Sequence, residues 1–411
     1  MVSRRRILRM AGALGVATSA GCSASFGSPN SSTAKGRRDY DVVRVPDDYG
    51  TIQAGVDTAT RGDLVLVASG IYPEEVTVST PDVTVRGLDR NGVVLDGGFE
   101  RRTAFDVTAD GVALENMTAR FYRRNGFHWA GVEGFRGSFL TAYTNGYYGI
   151  YAYDSRDGRF EHSYASGHPD AGFYLGRNRP YDAVITDVVA EHNAIGYSGT
   201  STGGSLVVRD SVWRYNKVGV FPNTLDTLDP PQRGSRILNN QIYGNNDPDA
   251  PALPNYPLIG MGVLLWGGSD NVVAANRIRD HDNFGIVAHP HVVEPSGNEI
   301  RENQVGDSGQ ADLALGQPAG TGNEFRDNTF ETSLPSAIET DANSGSDAVT
   351  DVFEALERQR QRGEFPVGEW RDQPTPGDQP AMPDPEAAPR PADRATSWAS
   401  PRAQTDGFGI E

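Results

Sequence analysis

Gly149-Ile150-Tyr151-Ala152-Tyr153, Gly172-Phe173-Tyr174-Leu175, Gly219-Val220-Phe221, Gly262-Val263-Leu264-Leu265 and Gly285-Ile286-Val287-Ala288 repeat one phrase, a glycine opening a short apolar or aromatic run. With Gly126 and Gly196 included, these glycines fall 23, 23, 24, 23, 43 and 23 residues apart. A second run recurs out of phase with the first, at Arg159-Phe160-Glu161, Ala183-Val184-Ile185, Leu206-Val207-Val208, Arg236-Ile237-Leu238, Val272-Val273-Ala274 and Asn298-Glu299-Ile300. Self-similarity at this period means stacked coils, each a unit that cannot bury its own apolar face.

The runs are short, rich in β-branched and aromatic residues, and bounded by Gly, Asn and Asp, which favours strands over helices. Helical repeats need a longer period, and leucine-rich repeats need a leucine ladder that is missing. The pattern predicts an all-β chain, a right-handed parallel β-helix with short capping helices. Successive coils would then pair strand to strand at about 4.8 Å. Asn240, Asn276, Asn303 and Asn328 recur just past the second run. Stacked inward, they would hydrogen-bond along the axis; the alternative is ordinary turn asparagines in left-handed geometry.

Ser3-Arg4-Arg5-Arg6-Ile7-Leu8 reads as a twin-arginine export signal, followed by an apolar stretch from Ala11 to Ala17 too short to span a bilayer. It ends in Ser19-Ala20-Gly21-Cys22, which resembles the lipobox of exported lipoproteins, with Ser19 where that pattern usually has Leu. Cys22 is the only cysteine, which excludes an intrachain disulfide and makes it the expected lipidation site. The expected location is extracytoplasmic, lipid-anchored at the cell surface or secreted, with the membrane met only through the anchor.

Net charge is −17, and loss of Arg4, Arg5, Arg6 and Arg9 with the signal takes it to −21. Only Lys35 and Lys217 are lysines. No basic stripe exists to neutralise phosphates, so nucleic acid is not an expected partner. The acidic, lysine-poor surface has the composition of proteins adapted to high salt.

The expected organisation is a signal over 1–22, a flexible tether over 23–39, the β-helix over 40–345, a capping helix over 346–364 and a Pro-rich tail over 365–411. Thr51-Ile52-Gln53-Ala54-Gly55-Val56 reads as a short helix with Thr51 as N-cap and Gly62 just past its end, placed to cover the open first coil. Val352-Phe353-Glu354-Ala355-Leu356-Glu357 reads as the second helix. The tail is expected to be extended, with Trp370 and Met382 available to pin it; disorder is the alternative.

Val45-Pro46-Asp47-Asp48-Tyr49-Gly50-Thr51-Ile52-Gln53-Ala54, with Gly62-Asp63-Leu64-Val65-Leu66-Val67 and Gly70-Ile71-Tyr72 after it, resembles the N-terminal cap of the pectin-lyase-like parallel β-helix superfamily. The Gly-x-hydrophobic coils resemble the same group, over residues 45–340. The resemblance implies the fold. It leaves activity open among polysaccharide lyases, glycosidases, esterases, mannuronan epimerases and non-catalytic or copper-processing members.

Residues at one offset from each glycine should line up along the axis. Four before it lie His168 and His192, two before it Asp170 and Lys217, five before it Glu191 and Arg214. This set suits chemistry on an acidic sugar. Arg214 or Lys217 would neutralise a uronate carboxylate, and His168 or His192 would move the neighbouring proton. Asp170 and Glu191 could hold Ca²⁺ to the same end. Gly167-His168-Pro169-Asp170 is similar to the Asp-Pro-His-Asp motif of mannuronan epimerases, but with the order changed and the leading Asp absent, so no role carries over. The structural alternative is that His, Asp and Asn cap strand ends at polar turns.

Asp280-His281-Asp282 and His289-Pro290-His291 form a second polar cluster that could bind a metal, though its halves lie on opposite sides of one strand, which disfavours a single ion seeing both. The gap of 43 holds two surplus segments, 223–232 and 246–256, expected to wall a groove beside Arg214 and Lys217. Tyr153, Asn223 and Trp266 are the expected sugar contacts, together with Tyr151 and Tyr174; the alternative for the aromatic ones is core filling. The functional expectation is a monomer that binds or processes an extracellular, uronate-containing polysaccharide by lyase or epimerase chemistry. The alternative is a non-catalytic surface binding or assembly protein. Soft-metal handling is disfavoured, because no Met/Cys cluster is present.

Overall fold

The computed structural model describes residues 39–178, 181–225, 231–253, 255–341 and 344–390. The export signal, most of the tether, Cys22 and the end of the tail lie outside them.

The repeated runs are strands, and every strand pairing is parallel. The chain is the parallel β-helix that its glycine period predicts. One lateral face is an 11-stranded sheet built from the glycine-led runs, and the other two faces together hold 20 strands. Those two faces join where Ala113–Arg120 and Glu133–Tyr143 run round the corner without a break. Asn116 and Phe139 make the bend in left-handed conformation.

Inward residues of the 11-stranded face form one column: Phe105, Phe127, Ile150, Phe173, Tyr197, Val220, Val263, Ile286 and Leu313. All are fully buried. The recurring glycines stack beside this column for a steric reason. A Cβ on Gly149, Gly196, Gly219 or Gly262 would lie 2.5–2.6 Å from the carbonyl oxygen of the glycine one coil on. The corner fits only a residue without a side chain.

Asn240, Asn276, Asn303 and Asn328 do stack inward. The Oδ1 atoms of Asn276, Asn303 and Asn328 each accept from the backbone N–H and side-chain Nδ2 of the rung before, at 2.9–3.1 Å. The left-handed residue is the one before each rung: Asn239, Ala275, Glu302 and Asp327. Asn271, Asn298 and Asn323 build a second ladder at another corner. The third runs Asn145, His168, Asn193, Asn216, Asn245, His281.

The helix α1 (Ile52–Thr58) starts as expected, with the Thr51 hydroxyl accepting from Ala54 N at 3.1 Å. It buries Ile52 and Val56 against the first strands. A second helix, α2 (Asp347–Gln361), lies on the outer surface of the 11-stranded face. Val349 and Leu356 pack there with Met261, Leu264, Val287 and Ala314. Phe353 meets Trp266, Phe284 and His289 at ring distances of 6.2, 6.3 and 4.1 Å.

After α2 the chain runs extended across the solenoid. Trp370 packs edge-on to Phe99 at 5.5 Å. Arg90 donates to Pro380 O, Met382 N to Asn116 Oδ1, and Arg86 to Pro385 O and Ala387 O. Arg390 reaches Glu161 at 3.1 Å, over a buried Arg86–Glu115–Arg136 cluster.

Asn216 tests the ladder. It is fully buried, and its amide bonds Asn193, Asn245, Ala190 and Arg214. Asn216→Ala strands several buried polar groups and is expected to cost on the order of 3 kcal/mol of unfolding free energy. Urea unfolding measures it; an unchanged midpoint would show that the coils hold together without this rung.

Candidate active site

The structure separates the residues that the glycine register placed together. Gly172 and Gly196 are 24 residues apart, one more than the usual step, and the extra residue shifts the corner. Ser166 pairs with Glu191, so His168 stands opposite Asn193, not His192. A one-residue slip turns a side chain to the other face. His168 therefore points inward as a ladder rung, fully buried. Its Nδ1 faces Asn193 Oδ1 at 2.8 Å and its Nε2 faces Asn145 Nδ2 at 3.2 Å. An amide oxygen only accepts, so Nδ1 carries the proton and Nε2 accepts. Burial pushes the pKa of His168 down to about 4. Both ring nitrogens are used, and no substrate can reach it.

His192 occupies the left-handed position before that rung and points outward. Its Nδ1 meets Asp247 Oδ2 at 2.8 Å and its ring stacks on Tyr215 at 5.8 Å. Lys217 is buried, its Nζ donating to Asp247 O and Pro248 O at 2.9 and 3.2 Å. Burial pushes it down to about 8. Arg214 and Glu191 do pair, at 2.6 Å.

Both Glu191 oxygens are engaged, one by Tyr164 Oη at 2.6 Å and the other by Arg214. Among the described residues no three His, Cys, Asp or Glu side chains converge as a metal would require. Asp170 instead accepts from the Tyr148 hydroxyl, and burial pushes it up to about 7.

The described parts of the surplus segments do not wall a groove. Leu225, Leu253, Tyr256 and Ile259 fold down onto the outer apolar face of the later coils. Asn223 is buried there, and Trp266 lies under Tyr256, His291 and Phe353. Neither is open to a sugar. Outward Ile195, Val218, Phe221, Met261 and Leu264 need cover, and these loops with α2 supply it. The second polar cluster divides likewise: His281 is a buried rung, and His289 sits under α2.

Of the expected sugar contacts, Tyr151 and Tyr153 line an open cleft. This cleft, about 290 Å³, crosses the outer surface of the 11-stranded face over four early coils. Outward residues two past a glycine make its floor, His128 after Gly126 and Tyr151 after Gly149, with Asp106 one coil earlier; Tyr174 after Gly172 continues the column beyond it. Asp106 Oδ1 meets His128 Nδ1 at 2.9 Å. The His128 ring lies flat on Tyr151 at 4.5 Å. Tyr151 packs on Tyr148 and Tyr174 at 4.6 and 4.9 Å.

The hydrogen bond from His128 holds Asp106 below its ordinary carboxylate pKa; burial opposes this, and the charges of His128 and Arg102 add to it. Burial raises the pKa of Tyr151 and Tyr174 above the phenol value, so both keep their protons. Exposed Arg102 and Arg124 line one side with Thr103 and Asn125. Arg177 lies over Tyr153, 6.0 Å from its ring centre. The arrangement offers a base, cations and phenols along one surface.

Offsets counted before the glycine miss this site. Counted after it, the same repeat aligns His128, Tyr151 and Tyr174. Asp106 lies upstream of the first glycine and has no such signal.

No protein-family model matches the chain, and neither does any curated protein. Among solved structures it is similar to the A-module of a mannuronan C-5 epimerase from Azotobacter vinelandii, with 16% identity over 72% of this chain and 94% of that one and a TM-score of 0.45. An alginate lyase from Paenibacillus is 15% identical over 71% and 98%, with a TM-score of 0.46. The Dettilon tailspike protein is 13% identical over 70% and 66%, with a TM-score of 0.47. The site has to be read from its own residues.

The ladder histidines carry a pH dependence. Their folded pKa values, about 4 for His168 and about 3 for His281, lie below the ordinary 6.5. The unfolded chain then binds more protons below pH 6.5, so their contribution is complete above 6.5 and is lost as pH falls toward 4. His168→Asn restores the rung type found at its neighbours. It is expected to flatten that acid limb by on the order of 3 kcal/mol. Urea midpoints taken from pH 7 to 4 measure it, and an unchanged limb would place the titration elsewhere.

Proposed function

We propose that the cleft processes a uronate-containing polysaccharide by removing the proton next to its carboxylate. One observation carries the reading: the Asp106–His128 pair, stacked on Tyr151, lies in an open cleft beside Arg102 and Arg124. Asp106 fixes the proton on His128 Nδ1, which leaves Nε2 to accept another. Arg102 and Arg124 bring two cations to the same cleft, and a cation on the sugar carboxylate stabilises the enolate formed when the C5 proton leaves. Three coil steps of about 4.8 Å give room for a short run of sugar units.

From that enolate two outcomes diverge. In β-elimination the C4–O bond breaks, its electrons leave with the oxygen, and a phenol such as Tyr153 returns a proton to it. In epimerisation the C5 carbon takes a proton from the opposite face. Both share the His128 step, so the two reactions are one reading of the site.

The purified chain, in high salt, is offered polyuronates in deuterated water. Unsaturated ends absorb in the ultraviolet, and deuterium at C5 reports epimerisation. His128→Ala is expected to lower either rate by roughly 10²–10⁴-fold, and Arg102→Gln to raise KM and lower kcat together. His168→Asn should keep full activity. Neither product on any polyuronate would overturn the catalytic reading and favour a sugar-binding surface.

The same reading places the protein outside the cytoplasm, supported by Arg4-Arg5-Arg6 and the lipobox-like Ser19-Ala20-Gly21-Cys22. Cys22→Ser is expected to shift it from the membrane fraction to the medium. Unchanged fractionation would remove the anchor.

A further inference from the structure

Asn125 opens the strand Asn125–Ala130 that carries His128 three residues later. It lines the same cleft and is only 5% exposed. Its Oδ1 is buried and has no hydrogen-bond partner. It bonds neither neighbouring position in its column. Thr103 precedes it one coil back, and Tyr148 in the next coil gives its hydroxyl to Asp170. Most other buried asparagines of the coils spend their amides on ladder rungs or, for Asn116, on the tail, Asn178 and Asn223 excepted. Asn125 is outside those ladders, so the solenoid does not account for it.

An amide oxygen accepts and never donates, so its missing partner is a donor. Arg102 and Arg124, which line the cleft beside it, disfavour a second cation. The donor that fits is neutral, a hydroxyl. We infer that Asn125 is a specificity-determining residue, reading one sugar hydroxyl through Oδ1 while the arginines hold the carboxylate of the same unit. This rests on the uronate reading of the cleft and deepens it, because an acceptor fixed in the wall selects the sugar whose hydroxyl points toward it. Uronates differ from one another chiefly in the configuration of their ring hydroxyls, so one such contact separates them.

The test measures binding of oligomannuronate, oligoguluronate and oligogalacturonate to wild type, Asn125→Ala and Asn125→Ser by calorimetry, with thermal unfolding alongside. Wild type is expected to prefer one of the three by tenfold or more. Asn125→Ala should bring the three within about twofold or threefold of one another and leave the dependence on Arg102 intact. Its melting midpoint should not fall, since the change removes an unpaired buried group. Asn125→Ser, which keeps an acceptor on a shorter arm, should recover part of the preference. Wild-type binding with an unchanged ranking in Asn125→Ala overturns the role of Asn125 and leaves the cleft standing. A lower midpoint with unchanged ranking assigns Asn125 a structural role. No binding of any oligouronate by wild type overturns the reading of the cleft and this inference with it.

Discussion

The axial hydrogen bond from one coil's corner amide to the next is the contact on which the rest depends. Each rung needs a left-handed residue before it and a neighbour in strict register. Once Asn216 Oδ1 takes both the N–H and the Nδ2 of Asn193, the strands on either side have no freedom to slip. Inward and outward faces are then fixed for every residue of the coil. Stacked apolar residues alone would tolerate a two-residue slide; the amide ladder and the glycine corner do not.

That rigidity explains where the sequence is legible. The glycine period shows the coil directly, because only glycine fits under the next carbonyl. The asparagines past the second run show a corner. Register within a coil is legible only as far as each coil keeps the same length. Between Gly172 and Gly196 one added residue moves His192 outward and leaves Asn193 as the rung, and an offset counted from glycine cannot see it. His168 looks like a base in sequence because histidine is the residue of proton transfer. In the fold it is a longer asparagine, using two ring nitrogens where its neighbours use an amide.

Lys217 and Trp266 were opaque for a different reason. Both sit where a surplus segment returns to the surface, and whether a long loop stands away from a solenoid or lies down on it depends on what the surface offers. Here the outward positions under it are Val218, Phe221, Met261 and Leu264, and the loop buries them. The same argument accounts for α2, whose Val349, Phe353 and Leu356 continue the cover along the face.

One outward column shows both outcomes. From the first coils onward it reads Thr77, Asp106, His128, Tyr151, Tyr174, Ser198, Phe221, Leu264, Val287, Ala314, Leu334. It changes from polar and titratable to apolar at Phe221. Beyond that point a helix and a folded loop lie on it. Before it, residues with protons to give or take stay partly open in a cleft with Arg102 and Arg124 on its wall. A solenoid stabilised only by its own packing would have no reason to place Asp106 opposite His128 and then leave the pair uncovered, when its later coils show how the chain closes a face. The polar stretch of the column is bare because cover would strand its charges.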